Sequence, residues 1–160
     1  TSTFTEAKYA CVENEVALYL NRVQNLVPPG SAIAIKPHPR TSAATIEHLR
    51  AELLALGYSV YCLTDQAFNF IPIEVSIHFI QPRLAVAFGS TAAINLALFS
   101  ETKQIVVHDE SLLNHYLNPS AIAMILDFQQ LLSACLDKIE LGWRGGEVLW
   151  SRSSDLPMKV

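Results

Sequence analysis

Apolar residues recur along this chain in alternating rhythms, and that alternation predicts its elements. Val16, Leu20, Val23 and Val27 fall at helical spacing between Glu13 and Val27, and Pro28-Pro29-Gly30 closes the segment. Ala32 to Ile35 is a short apolar run stopped by two prolines, the signature of a buried strand. Ile46, Leu49, Leu53 and Leu56 then line one helix face, with Thr41 or Ser42 as N-cap and Gly57 as the stop. Tyr58 to Leu63 is rich in β-formers and predicts a second strand. After an irregular stretch from Thr64 to Pro72 come a helical turn or two over Glu74–Ile80 and a third strand over Leu84–Phe88. An apolar helix over Ser90–Phe99 and a fourth strand over Gln104–Val107 follow. Phe128, Leu131, Leu132, Cys135, Leu136 and Ile139 give an amphipathic helix, and the tail beyond Gly142 carries no regular pattern.

Strands alternating with helices predict an α/β fold, a doubly wound parallel sheet of Rossmann-like type. Right-handed crossovers would bring the strand C-termini, and with them His38, Ser90 and His108, to one edge. The chain divides into residues 1–29 (an unpatterned linker, or a connection from a preceding domain, and a connecting helix), an α/β domain over 30–142, and an irregular tail over 143–160.

Composition narrows the picture. A hydrophobic share of 51% against 16% charged residues argues for a packed core and against disorder. A net charge of −4 without any basic tract argues against nucleic acid as partner. Cys11, Cys62 and Cys135 lie far apart in apolar segments and are expected to be buried free thiols, which suits a cytoplasmic protein. No apolar run reaches the ~18–20 residues of a membrane span, and no signal peptide is recognisable. The chain starts at Thr1 without a methionine, which suits a processed product or a fragment, and the expectation is a fragment of a longer enzyme.

Candidate chemistry sits where strands end. In Lys36-Pro37-His38-Pro39-Arg40 two prolines stiffen the backbone around an imidazole that can donate to a phosphate oxygen and help it leave. The plain alternative is a strand-stopping loop with a solvated histidine. In Gly89-Ser90-Thr91 two hydroxyls open a helix whose first N–H groups favour an anion, although Ser and Thr are also the commonest helix caps. Glu74 follows Ile71-Pro72-Ile73 and is suited either to a ribose diol or to the helix dipole. His48 reads as part of a solvated helix face, His78 as packed or half-exposed, and His108 as a possible cleft residue beside Asp109 and Glu110. Asp65 and Asp109 are acid–base candidates with no nucleophile to pair with. No zinc spacing, Ser-His-Asp set or Gly-x-Ser-x-Gly elbow stands out.

On these residues the chain resembles the bacterial sialyltransferases of two-domain GT-B type, most closely the capsular polysialyltransferases and lipooligosaccharide sialyltransferases. Lys36-Pro37-His38-Pro39 resembles that family's His-Pro motif, Ile71-Pro72-Ile73-Glu74 its Pro-x-Glu segment, and Phe88-Gly89-Ser90-Thr91 its Ser-Ser/Thr motif. The resemblance spans about residues 30–110. It implies the C-terminal, Rossmann-like half of a GT-B enzyme, with a CMP-activated sialic acid as donor substrate and no further cofactor or metal. It also implies a glycan acceptor.

By the same resemblance His38 contacts the donor phosphate and helps CMP depart. Ser90 and Thr91 hold that phosphate, Glu74 the ribose hydroxyls, Lys36 lies near the cytosine, and Pro39 is a further substrate-binding residue. The family's acidic-acidic-glycine motif, which carries the general base, has no counterpart in these 160 residues. The resemblance places it in an N-terminal domain, so this chain is expected to bind nucleotide and turn over poorly. Lipid-linked acceptors imply peripheral attachment at the inner membrane, which no amphipathic basic helix marks. Two other readings stand beside this one: a polyol-phosphate (CDP-glycerol type) transferase, and a non-catalytic nucleotide-binding α/β module.

Overall fold

The computed structural model describes residues 3–64, 70–88, 90–99, 104–139 and 147–151. Glu13 and Glu15 stand in the first turn of helix α1 (Val12–Leu26), where carboxylates favour the dipole. Pro28 and Gly30 then make a turn, with Gly30 at φ +82° and the Ser31 N–H reaching the Pro28 carbonyl. Strand β1 (Ala32–Ile35) follows, then α2 (Ala43–Ala55) and β2 (Ser59–Cys62). Ser42 caps α2, its Oγ accepting the Thr45 N–H at 3.1 Å. At the other end Gly57 takes φ +85°, so that the Tyr58 N–H reaches the Leu53 carbonyl and the Gly57 N–H the Leu54 carbonyl. This is the Schellman arrangement, for which glycine pays no Cβ penalty.

The second half runs α3 (Ile73–Ile80), β3 (Leu84–Val86), α4 (Ala92–Phe99), β4 (Gln104–Asp109), α5 (Glu110–Tyr116), α6 (Pro119–Ile139) and β5 (Glu147–Ser151). All pairings among the described residues are parallel: β1 with β2 in one ladder, and β3 with β4 and β4 with β5 in another, with an irregularity between Val106 and His108. The α/β character and the parallel pairing agree with the sequence pattern. The strands form a two-stranded and a three-stranded ladder, however, and among the described residues no backbone pairing joins β1 to β3.

Side chains make that join. One core takes Val16, Leu18, Tyr19 and Val23 from α1, Ile35 from β1, Leu49 and Leu53 from α2, Phe88 after β3, Leu113 from α5, and Ala121 and Ile125 from α6. The Tyr19 and Phe88 rings meet at 5.2 Å with planes tilted by 58°, a geometry that adds about 1 kcal/mol beyond area burial. Phe4 is buried as well, within a run of turns over residues 3–10.

Several elements differ from the sequence pattern. Helix α6 begins nine residues before Phe128, because Asn118 accepts the Ala121 N–H at 3.0 Å as a cap and Pro119 fits the first helical position. Helix α5 has no counterpart in the apolar pattern, and neither has β5, where Val148, Leu149 and Trp150 lie in a strand along the edge of β4. Leu56 is the C-cap residue of α2 and is exposed, so it does not complete the apolar face. Cys11 is exposed at the N-cap of α1 rather than buried. Cys62 is half-buried, with desolvation pushing its thiol up, and the Cys135 side chain lies outside the described residues.

A polar group also enters the core. Glu15 is 1% exposed, and its Oε2 accepts both the N–H and the hydroxyl of Thr5 at 2.7 Å, while Oε1 is buried with no hydrogen-bond partner among the described residues. Burial raises its carboxyl above the usual range, and the bonds from Thr5 oppose that shift. A raised carboxyl pKa stabilises the fold at low pH and loses that contribution as pH rises through the folded value. Glu15→Gln is therefore expected to gain stability relative to the parent as pH rises from 4 to 8, read from urea midpoints; parallel pH profiles would contradict this. Leu53→Ala is expected to cost about 3 kcal/mol, and Leu54→Ala, at a 43% exposed site, under about 1 kcal/mol.

Candidate functional site

The loop after β1 is built around His38. Ile35 is buried as the last strand residue and Pro37 is buried two positions on. Lys36 between them is half-buried, and desolvation lowers its ammonium pKa. The Thr41 N–H donates to the His38 carbonyl at 2.9 Å, closing a four-residue turn with Pro39 at the position where a φ near −65° is wanted. Within that turn the Arg40 N–H donates to His38 Nδ1 at 3.1 Å.

That bond decides the tautomer. With Nδ1 accepting, the neutral ring carries its proton on Nε2 and offers a donor there. Desolvation lowers the His38 pKa first, and the positive charges of Arg40 and Lys36 add to it, while Glu6 opposes. The ring is therefore neutral at pH 7, and an anion arriving beside it would raise its proton affinity.

The second group of residues follows β3. Phe88 is fully buried, and Ser90 and Thr91 open α4. Ser90 Oγ accepts the Ala92 N–H at 3.2 Å, and the Ser90 and Thr91 carbonyls receive the Ala93 and Ile94 N–H groups. Ser90 thus acts as a helix cap, which leaves its O–H as a donor. Ser90 is half-buried and Thr91 exposed. Ile35, just before Lys36, and Phe88, two residues before Ser90, belong to the same core, so one packed unit anchors both loops.

The remaining candidates are more scattered. Glu74 is the second residue of α3, after Pro72 at the cap position; its side chain, like Gly89 and Asp65, lies outside the described residues. His108 lies within β4, opposite Trp150, rather than beyond its end, and Asp109 is that strand's last residue; both side chains are outside the described set. His48 lies 3.8 Å from Glu52 on α2, and His78 is exposed. An open cleft of about 440 Å³ between the N-terminal turns and α5 is lined by Lys8, Cys11, Asn14 and His115 among others, and by none of the motif residues. Among the described residues no three His, Cys, Asp or Glu side chains group as a metal site would require, and no helix is long and apolar enough to cross a membrane.

Sequence reasoning missed two partners of His38. Arg40 adjoins the motif and was legible as a neighbouring charge. Glu6 is remote in sequence and carried no local signal.

A family model described as alpha-2,8-polysialyltransferase matches residues 1–109, and all three motifs fall inside that span. No curated protein and no solved structure matches the chain.

Histidine-selective NMR is expected to place the His38 titration midpoint below the ordinary histidine range. Arg40→Ala should move it upward, since a repelling charge is removed; a downward move would refute the charge assignment.

Proposed function

This chain belongs to the alpha-2,8-polysialyltransferase family, and from that membership we propose that it binds a CMP-activated sialic acid and serves the transfer of that sugar to a glycan. Membership makes it a glycosyltransferase of sialyltransferase type, which implies a nucleotide-sugar donor and a glycan acceptor. The finer reading rests on one observation: His38 has Nδ1 engaged by its own turn and presents a neutral ring with the proton on Nε2.

In the proposed step an acceptor hydroxyl attacks the anomeric carbon with inversion. The bond from that carbon to the phosphate oxygen breaks, and its electron pair leaves with CMP. Charge grows on the phosphate as this happens. Donors already aimed at the place where charge develops lower the barrier, because they need no reorganisation during the reaction. His38 Nε2–H, the Ser90 and Thr91 hydroxyls and the first N–H groups of α4 are assigned that role, in place of a metal. Glu74 is assigned to the ribose hydroxyls, Lys36 to the neighbourhood of the cytosine, and Pro39 to holding the turn. The acceptor's proton is assigned to a base in an N-terminal domain, where the family resemblance puts the acidic-acidic-glycine motif.

Support comes from the order of the motifs within the family match and from the common core beneath the two loops. Calorimetric titration with CMP, CDP, UMP and ADP is the direct test, and clear preference for CMP is expected. Competition by CDP-glycerol in place of CMP would favour the polyol-phosphate reading, and absence of transfer with the upstream half supplied would favour a binding module. His38→Ala is expected to weaken CMP binding and, where turnover is measurable, to slow it about 100-fold, the scale of one lost charge-stabilising donor. A His38→Ala protein that holds CMP as tightly as its parent would remove the phosphate role.

A further inference from the structure

The His38 turn is supported from outside its own stretch of chain. It runs directly into Ser42, the cap of α2, and the Ser42 N–H donates to Glu6 Oε1 at 2.6 Å across 36 residues of sequence. The Glu6 backbone is itself well held. Phe4 is buried at 4% exposure on one side, and Thr5 gives two hydrogen bonds to the buried Glu15 carboxylate. On the other side the Lys8 and Tyr9 carbonyls accept the Asn118 side-chain and backbone N–H groups at 2.9 and 3.0 Å. The exposed Glu6 carboxylate therefore projects from a backbone fixed at both flanks.

We propose that Glu6 is a positioning residue for the His38 loop, its carboxylate holding the Ser42 amide and thereby the start of α2 against which the His38–Thr41 turn is set. A charge-assisted bond from a backbone N–H to a carboxylate is among the stronger hydrogen bonds a protein makes. Here it fixes the residue directly after the turn, whose own closure is the bond from the Thr41 N–H to the His38 carbonyl. The same carboxylate supplies the negative charge that opposes Arg40 and Lys36 at the imidazole. Glu6 thus acts on His38 in two separable ways, by position and by charge. Its consequence for donor binding rests on the function proposed above; its effect on the loop does not.

The test uses the full chain as parent, Glu6→Gln and Glu6→Ala. Glutamine keeps an acceptor oxygen and removes the charge, whereas alanine removes both. Amide hydrogen exchange is expected to show Ser42 protected in the parent and in Glu6→Gln and unprotected in Glu6→Ala. Histidine-selective NMR, with His38→Ala to assign the resonance among the five histidines, is expected to show the His38 midpoint shifted to lower pH in both variants. CMP affinity is expected to fall about fivefold in Glu6→Ala, the scale of one lost hydrogen bond, and by less in Glu6→Gln. An unchanged Ser42 exchange rate in Glu6→Ala, or an unchanged His38 midpoint in Glu6→Gln, overturns the proposal. If the parent itself fails to bind CMP, the donor reading falls, and the amide and imidazole readouts still judge Glu6.

Discussion

The packing of α1 across the chain's two strand ladders is the interaction on which the rest of the structure depends. Backbone hydrogen bonds organise β1 with β2, and β3 with β4 and β5, but none among the described residues ties one group to the other. Parallel strands of three to six residues have little independent stability and need apolar cover. Val16, Tyr19 and Val23 supply that cover from one helix, and the Tyr19–Phe88 ring contact extends it to the end of β3. Each candidate loop begins one or two residues beyond a side chain in this core. The stability of the core and the placement of the loops are therefore one physical problem.

The electrostatics of the His38 turn follow from a small number of local decisions. Pro39 presets the turn, the turn puts the Arg40 amide on Nδ1, and that bond selects the Nε2–H tautomer. Desolvation and the neighbouring cations keep the ring neutral, with Glu6 moderating them. A neutral donor in a mildly positive setting suits an incoming phosphate, because the phosphate's own charge then favours protonation of the ring where a leaving group needs it.

A similar economy shows in the buried Glu15. A carboxylate with one bonded and one unpartnered oxygen is an unfavourable core residue in isolation. It nevertheless ties the N-terminal turns to α1 through Thr5, and those turns carry Glu6. What the core loses there, the loop gains as an ordered support.

Local chemistry was enough to read much of this protein from its residues in order. Ala32–Ile35 as a strand, Ser42 as a cap, Gly57 as a helix stop and the stiff His-Pro loop all depend on contacts within a few positions. Steric and hydrogen-bonding preferences act strongly at that range. The Asn118-Pro119 start of α6 is equally local. Other features had no nearby cause. That β5 pairs with β4, that the strands divide into two ladders, that Cys11 is exposed and Glu15 buried, and that Glu6 reaches Ser42 depend on segments meeting from far apart in the chain. Such meetings are chosen by packing of the whole core, where the hydrophobic gain is non-directional and any apolar face can serve. Residue pattern therefore set the turns and caps, and tertiary packing decided which of them were brought into contact.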